Sequence, residues 1–195
     1  GKTCRPIKIY VEDALASAIV REVARNSGMM ADVETVIYGS IDNSFTLAAS
    51  FVLCSDKPTH VLIVLDGDRY ITKEEKESQI MKKLSGTEDA IGEKQKQALS
   101  MITQFHLPEG VPPEQHLHNL ILKYEPATSE LYKAANAIKA VNDSHQWLYR
   151  IHEQTGLSES EIVHDIFRVA ASSDEMSEYI KDIEEWLLST KEAMK

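Results

Sequence analysis

Two aliphatic runs of strand length, each closed by acidic residues, constrain this chain more than any other feature. The first is Ile7-Lys8-Ile9-Tyr10-Val11-Glu12-Asp13 and the second, some fifty residues on, is Val61-Leu62-Ile63-Val64-Leu65-Asp66-Gly67-Asp68. A continuous β-branched and aliphatic run of this length reads as a strand buried on both faces of a parallel sheet. Between and beside these runs the pattern changes to helical spacing. Ala14 to Asn26 places Leu15, Ile19, Val20 and Val23 at helical intervals and stops at Ser27-Gly28. Val33 to Tyr38 is a short β-prone run ending at Gly39-Ser40, Asp42 to Leu53 reads as a second helix, and Thr59 to Leu65 as the third strand. Alternation of this kind predicts an α/β fold with right-handed crossovers and a parallel sheet flanked by helices.

Such a sheet collects ligands outside the carboxyl ends of its strands. Glu12, Asp13, Asp66 and Asp68 would all emerge there. Asp66 and Asp68 are two apart, which in extended backbone projects both side chains to one side. Gly67 between them allows close approach of the backbone to a ligand. Carboxylates gathered in a small volume repel one another, and a hard cation such as Mg²⁺ relieves the repulsion through oxygen ligands. The competing reading is that an Asp at a strand end merely caps the next helix or opens a turn.

Residues 72 to 100 are rich in Lys, Glu, Gln and Ser, with Gly86 and Gly92 as breakers, and read as solvated helices around a turn. Met101 to Leu107 is a candidate fourth strand, stopped by Pro108-Glu109-Gly110. Beyond Pro112-Pro113-Glu114 the pattern is helical at Leu117 to Tyr124, Ser129 to Val141, Ser144 to Thr155, Glu159 to Ala171 and Met176 to Thr190. Ser158 ahead of Glu161 is a capping-box signature.

The pair of acidic clusters is more informative than either alone. A glutamate ending strand one, a gap holding an α-β-α unit, and Asp-x-Asp ending strand three together resemble a Toprim domain, the metal-dependent phosphoryl-transfer module of topoisomerases, primases and certain nucleases. Within that superfamily the chain looks most like the C-terminal nuclease region of the overcoming-lysogenization-defect (OLD) family. Leu107-Pro108 followed by Pro113-Glu114 is similar to a Leu-Pro and Pro-Glu pairing there, and Asn142-Asp143-Ser144-His145-Gln146-Trp147 resembles part of its helical insertion. Toprim domains commonly carry glycine after the first glutamate, where this chain has Asp13, and family members often add a carboxylate near Leu15 and Ala16, for which Asp13 is the candidate replacement.

The resemblance implies a Toprim catalytic core at residues 5–125 with a helical region at 126–195 packed on it. It implies a metal-dependent DNA endonuclease acting through two ions, Mg²⁺ or Mn²⁺, roughly 3.5–4 Å apart. Glu12, Asp66 and Asp68 would be the catalytic residues, with Asp13 and Glu114 joining them as metal ligands; Glu12 would serve as ligand or as general base. Lys139 and Lys181 are candidates for the lysine that the family places near the scissile phosphate. The implied partners are DNA, an ATPase domain on the same or another chain, and a second copy of the chain for double-strand cleavage.

Composition adds limits. At 195 residues, 43% hydrophobic and 27% charged, the chain can bury a substantial core. No apolar stretch approaches the roughly 20 residues that span a bilayer, and the N-terminus lacks the features of a signal peptide, so a cytoplasmic location without membrane contact is expected. The net charge of −10, from 21 Lys plus Arg against 31 Asp plus Glu, opposes a free-standing nucleic-acid binder. Bound metal or a basic partner would have to compensate. Gly1-Lys2-Thr3 is not a phosphate loop, because no glycine-rich cradle precedes it. Cys4 and Cys54 have no metal-ligand spacing and read as thiols. His116 with His118, and His145 with His152, lack the i,i+4 spacing of a helical chelate. Trp147, Tyr149 and Trp186 fit core positions better than base-stacking ones.

Two other functions fit parts of the pattern. In a receiver domain Glu12 and Asp13 would hold Mg²⁺ beside Asp66 as phosphoacceptor, but no apolar-Met-Pro continuation follows Asp66 and no lysine precedes Pro108. In a non-catalytic dimerisation or docking module, the amphipathic helices would be the working surface.

Overall fold

The computed structural model describes residues 5–54 and 58–195, so Cys4 and Gly1-Lys2-Thr3 lie outside the described residues. Four strands form one parallel sheet: β1 (Ile7–Val11), β2 (Val33–Ile37), β3 (His60–Leu65) and β4 (Ile102–Gln104), in the order β2-β1-β3-β4. Between them run α1 (Ala14–Asn26), α2 (Ile41–Leu53), α3 (Lys73–Lys83) and α4 (Ile91–Ser100). The chain leaves β1 toward β2 on one side and then crosses back to β3 on the other. Right-handed crossovers in opposite directions put α1 and α2 on opposite faces of the sheet. The reversal falls between β1 and β3, the point at which such sheets open a crevice.

Periodicity decides how each strand is covered. β3 is buried from Val61 to Leu65, as its aliphatic run predicts. β1 departs from the expectation of burial on both faces. Ile7, Ile9 and Val11 are fully buried, while Lys8 and Tyr10 on the other face are half-exposed. Lys8 tolerates the strand because Glu34 stands directly opposite on β2 and pairs with it. On the α2 face, Ile41, Phe45, Ala48 and Ala49 pack with Ile63 and Leu65 and with Ile80 and Ala98 of α3 and α4. Each large aliphatic side chain removed from water there contributes roughly 1.5–3 kcal/mol.

The solvated stretch starts with a capping box that sequence reading passed over. Thr72 accepts from the Glu75 N–H while Glu75 accepts from the Thr72 N–H. The fourth strand is shorter than expected, three residues rather than seven, because pairing with β3 stops at Leu65↔Gln104.

The remaining helices are α5 (Pro113–Tyr124), α6 (Glu130–Ala137), α7 (Gln146–Thr155), α8 (Glu159–Ala170) and α9 (Asp174–Ala193). Ser158 and Glu161 form the expected capping box at the start of α8. α6 ends four residues early because Ile138 turns to extended backbone and buries its side chain. His116 and His118 are core residues of α5, each 4% exposed. The His118 ring lies 4.4 Å from the buried Trp147 and its Nε2 is 2.8 Å from the Ala135 carbonyl oxygen. Burial holds both imidazoles below the usual histidine range.

Compactness divides the chain differently from the limits 5–125 and 126–195. One unit comprises the residues up to Phe105 together with Asp182–Lys195, and the other is His106–Lys181. The first unit is therefore discontinuous. Ile183 and Leu187 are fully buried, and Lys191 donates through Nζ to the Ser27 carbonyl oxygen, 3.0 Å away, at the C-terminus of α1. A cation there satisfies an orphan carbonyl and complements the helix dipole. Among the described residues, no helix is long and apolar enough to cross a membrane.

Candidate functional site

Strand length and the sheet reversal position the acidic residues. Glu12 follows the last residue of β1 and Asp66 follows the last residue of β3, neighbouring strands in the sheet. Both therefore sit at the carboxyl edge, at the reversal point. Backbone hydrogen bonds fix the first of them: the Glu12 carbonyl accepts from Gly39 N–H at 3.1 Å and the Val11 carbonyl from Tyr38 N–H at 2.8 Å. Asp13 is the N-cap of α1, its Oδ1 accepting from the Ala16 N–H at 2.8 Å. The capping role weighed for a strand-end Asp is thus real for Asp13, and one of its oxygens is committed to the helix.

The Asp-x-Asp geometry needs a correction. An extended backbone would have aimed Asp66 and Asp68 the same way, but Gly67 has φ +95° and the chain turns there. Asp66 is half-buried and Asp68 is exposed. Gly67 is buried in a left-handed conformation that a side-chain-bearing residue would strain. Three residues on, Tyr70 also has positive φ, +50°, without glycine's freedom. The acidic loop thus combines one position that glycine adopts freely with one strained position at Tyr70.

The electrostatics follow from burial and crowding. Burial first, then Glu12, Asp13 and Asp68, push the Asp66 carboxyl up to about 8. Glu12 is raised too, by burial and then by Asp68 and Asp13. The hydrogen bond between the two carboxyls raises Asp66 and lowers Glu12, and Arg69 partly offsets the negative potential on Glu12. Glu12 Oε2 is buried with no hydrogen-bond partner. A buried lone carboxylate oxygen is costly, and a cation is the partner its chemistry suits.

Two contributors escaped the sequence reading. Tyr38, one residue past β2, donates its hydroxyl to the Val64 carbonyl oxygen at 2.7 Å. Burial, and then all four carboxylates, push its hydroxyl far above the ordinary tyrosine range. Nothing in the run Val-Ile-Tyr-Gly separates this tyrosine from an ordinary strand-end aromatic. Tyr38→Phe removes one hydrogen bond onto the strand that carries Asp66, and should cost about 1 kcal/mol. In a thermal melt that is a drop of roughly 2–4 °C; an unchanged midpoint would mean the hydroxyl does not brace β3. The second is Gln104 at the end of β4, 7% exposed, whose Oε1 has no hydrogen-bond partner.

The other expected residues belong to the second unit. Glu114 is the second residue of α5, and its Oε2 accepts from the Leu148 N–H at 3.4 Å. It lines a cavity of about 480 Å³ with His145, Tyr149, His152 and Glu159. Lys139 bonds Asn136 and Lys181 pairs with Glu178. Asp143, in the segment that resembles the helical insertion, organises the start of α7 by accepting from the His145 N–H at 2.9 Å.

Comparison with protein-family models, curated proteins and solved structures returned no match. The chemistry of the site therefore rests on its own geometry. Among the described residues, no three His, Cys, Asp or Glu side chains form a ready-made metal cage. Mg²⁺ does not require one, because it is held through one or two carboxylates and retains several waters. Glu12 and Asp66, adjacent and hydrogen-bonded to each other, with Glu12 Oε2 orphaned, fit that requirement.

Proposed function

We propose that this chain is a metal-dependent phosphodiesterase domain of Toprim type, acting on DNA as the nuclease part of an OLD-type ATPase–nuclease. The observation that carries the reading is the joint burial of Glu12 and Asp66 at the reversal point of the parallel sheet, with one carboxylate oxygen left without a partner. Structural acids are normally exposed or paired, whereas this arrangement stores repulsion that a cation removes.

Glu12 and Asp66 would hold a divalent ion, Mg²⁺ or Mn²⁺, and Asp68 would serve a second from the exposed side of the turn. Such ions supply activation of water and stabilisation of charge on the leaving oxygen. The protein's own part is to fix the carboxylates at strand ends, to hold the Asp-Gly-Asp turn through its left-handed residues, and to place Tyr38 as a wall on the strand beside them. Asp13, engaged as a helix cap, biases the field without needing to ligate. A basic partner, such as the ATPase region or a second copy of the chain, would supply the surface for DNA that a net charge of −10 withholds.

A receiver domain shares the β2-β1-β3-β4 order, but its sheet continues to a fifth strand. Among the described residues, everything after β4 is helix or loop.

The test is cleavage of supercoiled and linear plasmid in Mg²⁺, Mn²⁺ or Ca²⁺ by wild type, Asp66→Ala and Asp68→Ala, with Mn²⁺ binding followed by calorimetry. The expected result is cutting in Mg²⁺ or Mn²⁺ by wild type and loss of about a hundredfold or more in both variants, the scale of removing one preorganised charge-stabilising group. Absence of Mn²⁺ binding by wild type would sink the reading. Labelling of Asp66 by acetyl phosphate would replace it with the receiver.

A further inference from the structure

The acidic cluster poses a problem for a polyanionic substrate. A phosphodiester has to approach four carboxylates on a chain of net charge −10, and phosphate contacts are ordinarily made by cations. One cation lies on the acidic loop itself. Arg69 directly follows Asp68 and is exposed. Its guanidinium lies over the Tyr70 ring, 5.1 Å from the centroid, and its Nη2 donates to the Tyr70 hydroxyl at 3.4 Å. Among the described residues it makes no close ion pair with a carboxylate, although its charge acts on Glu12.

The support beneath it is unusual. Tyr70 occupies φ +50°, a conformation disfavoured for an aromatic residue. Its ring is anchored edge-on against Phe45 of α2, with centroids 5.2 Å apart at 88°, and Phe45 is fully buried. A chain of contacts thus runs from the core through Tyr70 to the guanidinium. An arginine lying on an aromatic ring keeps its planar edge and its outward N–H donors available, and loses less freedom when it binds. The backbone strain at Tyr70 aims the ring that carries it.

We propose that Arg69 is the phosphate-binding residue of this site, presented by Tyr70 to a non-bridging phosphate oxygen of a nucleic-acid backbone. The assignment rests on the phosphodiesterase reading and specifies how an acidic site retains its substrate. Arg69 partly offsets the negative potential on Glu12, consistent with that position. Binding through the backbone carries no base preference.

The experiment measures binding of a 20-base-pair DNA duplex by fluorescence anisotropy in Ca²⁺ over a series of salt concentrations, for wild type, Arg69→Ala, Arg69→Lys and Tyr70→Leu. Mn²⁺ titrations and thermal melts accompany each. Arg69→Ala should weaken duplex binding about tenfold, as expected for one charge-assisted contact, and reduce the salt slope by about 1. Arg69→Lys should keep the slope and recover only part of the affinity, because a lysine lacks the guanidinium fork. Tyr70→Leu, which keeps the charge and loses the platform, should fall between them. Mn²⁺ affinity should be unchanged in Arg69→Lys and Tyr70→Leu, which keep the positive charge beside Glu12, and should not fall in Arg69→Ala, which removes a competing cation. Equal duplex affinity and salt slope in wild type and Arg69→Ala would overturn the assignment, as would a wild type that does not bind the duplex. Failure of wild type to bind Mn²⁺ would instead remove the phosphodiesterase reading on which the assignment stands, so the two failures are told apart.

Discussion

Asp66→Asn should make the metal-free protein more stable while abolishing its metal binding. Burial and the neighbouring carboxylates push the Asp66 carboxyl up to about 8 in the folded state, far above the ordinary aspartate range. The sign follows from linkage. A folded pKa above the unfolded one means that the folded state holds an extra proton between the two values, so the contribution of this group to stability is fully present below about pH 4 and is lost as pH rises through about 8. An asparagine removes the ionisation and retains a donor for the hydrogen bond to Glu12. The stability gained by the variant should therefore be small at pH 5, grow through neutrality and level off above pH 8. Relief of one buried carboxylate is worth about 1–2 kcal/mol, at the upper end of single stabilising changes, or roughly 2–8 °C for a chain of this length. Thermal melts in chelator at pH 5, 7 and 8.5 read the gain directly, and calorimetry with Mn²⁺ reads the loss. A variant less stable than wild type at pH 8.5 would show that the carboxylates are not held against their repulsion.

Removing residues 182–195 should unfold the first unit even though the deletion lies far from the sheet in sequence. Ile183 and Leu187 are fully buried, and each contributes roughly 1.5–3 kcal/mol by leaving water. Lys191 adds the contact to the Ser27 carbonyl oxygen at the end of α1. The total, about 4–7 kcal/mol, is comparable to the whole stability of a domain, about 5–15 kcal/mol. A chain ending at Lys181 should lose cooperative unfolding by circular dichroism and be digested rapidly by protease within residues 5–105. Melting of the truncated chain at the full-length midpoint would show that the buried positions are dispensable. The conservative counterpart, Ile183→Ala, should cost about 2–4 kcal/mol.

What the sequence discloses here depends on how local the cause is. The limits of α1 are readable because Asp13 caps one end and Ser27-Gly28 closes the other, signals within a turn of the helix. β3 is readable because five consecutive aliphatic residues have one economical location. Lys8 misleads, since its place in a buried strand depends on Glu34, a partner visible only once the β1–β2 register is known. Gly67 is ambiguous for a different reason. Its sequence shows freedom of φ but not the sign, so an extended Asp-x-Asp and a turned one are spelled alike. Tyr38 and Gln104 owe their surroundings to tertiary neighbours, and the ring beneath Arg69 is set by the contact of Tyr70 with Phe45, so none of them leaves a periodic trace. The same holds for α9, whose helical pattern is plain while its division between two compact units is not.

That division bears on how the molecule is made. Residues 106–195 must leave the ribosome before the first unit has all its parts, and at about 5–20 residues per second this imposes a delay of roughly 5–18 s. Throughout it the nascent sheet lacks the helical segment that buries Ile183 and Leu187, and its carboxylates already crowd one edge. Chaperone dependence during translation should therefore concentrate on the N-terminal part, although that part is synthesised first.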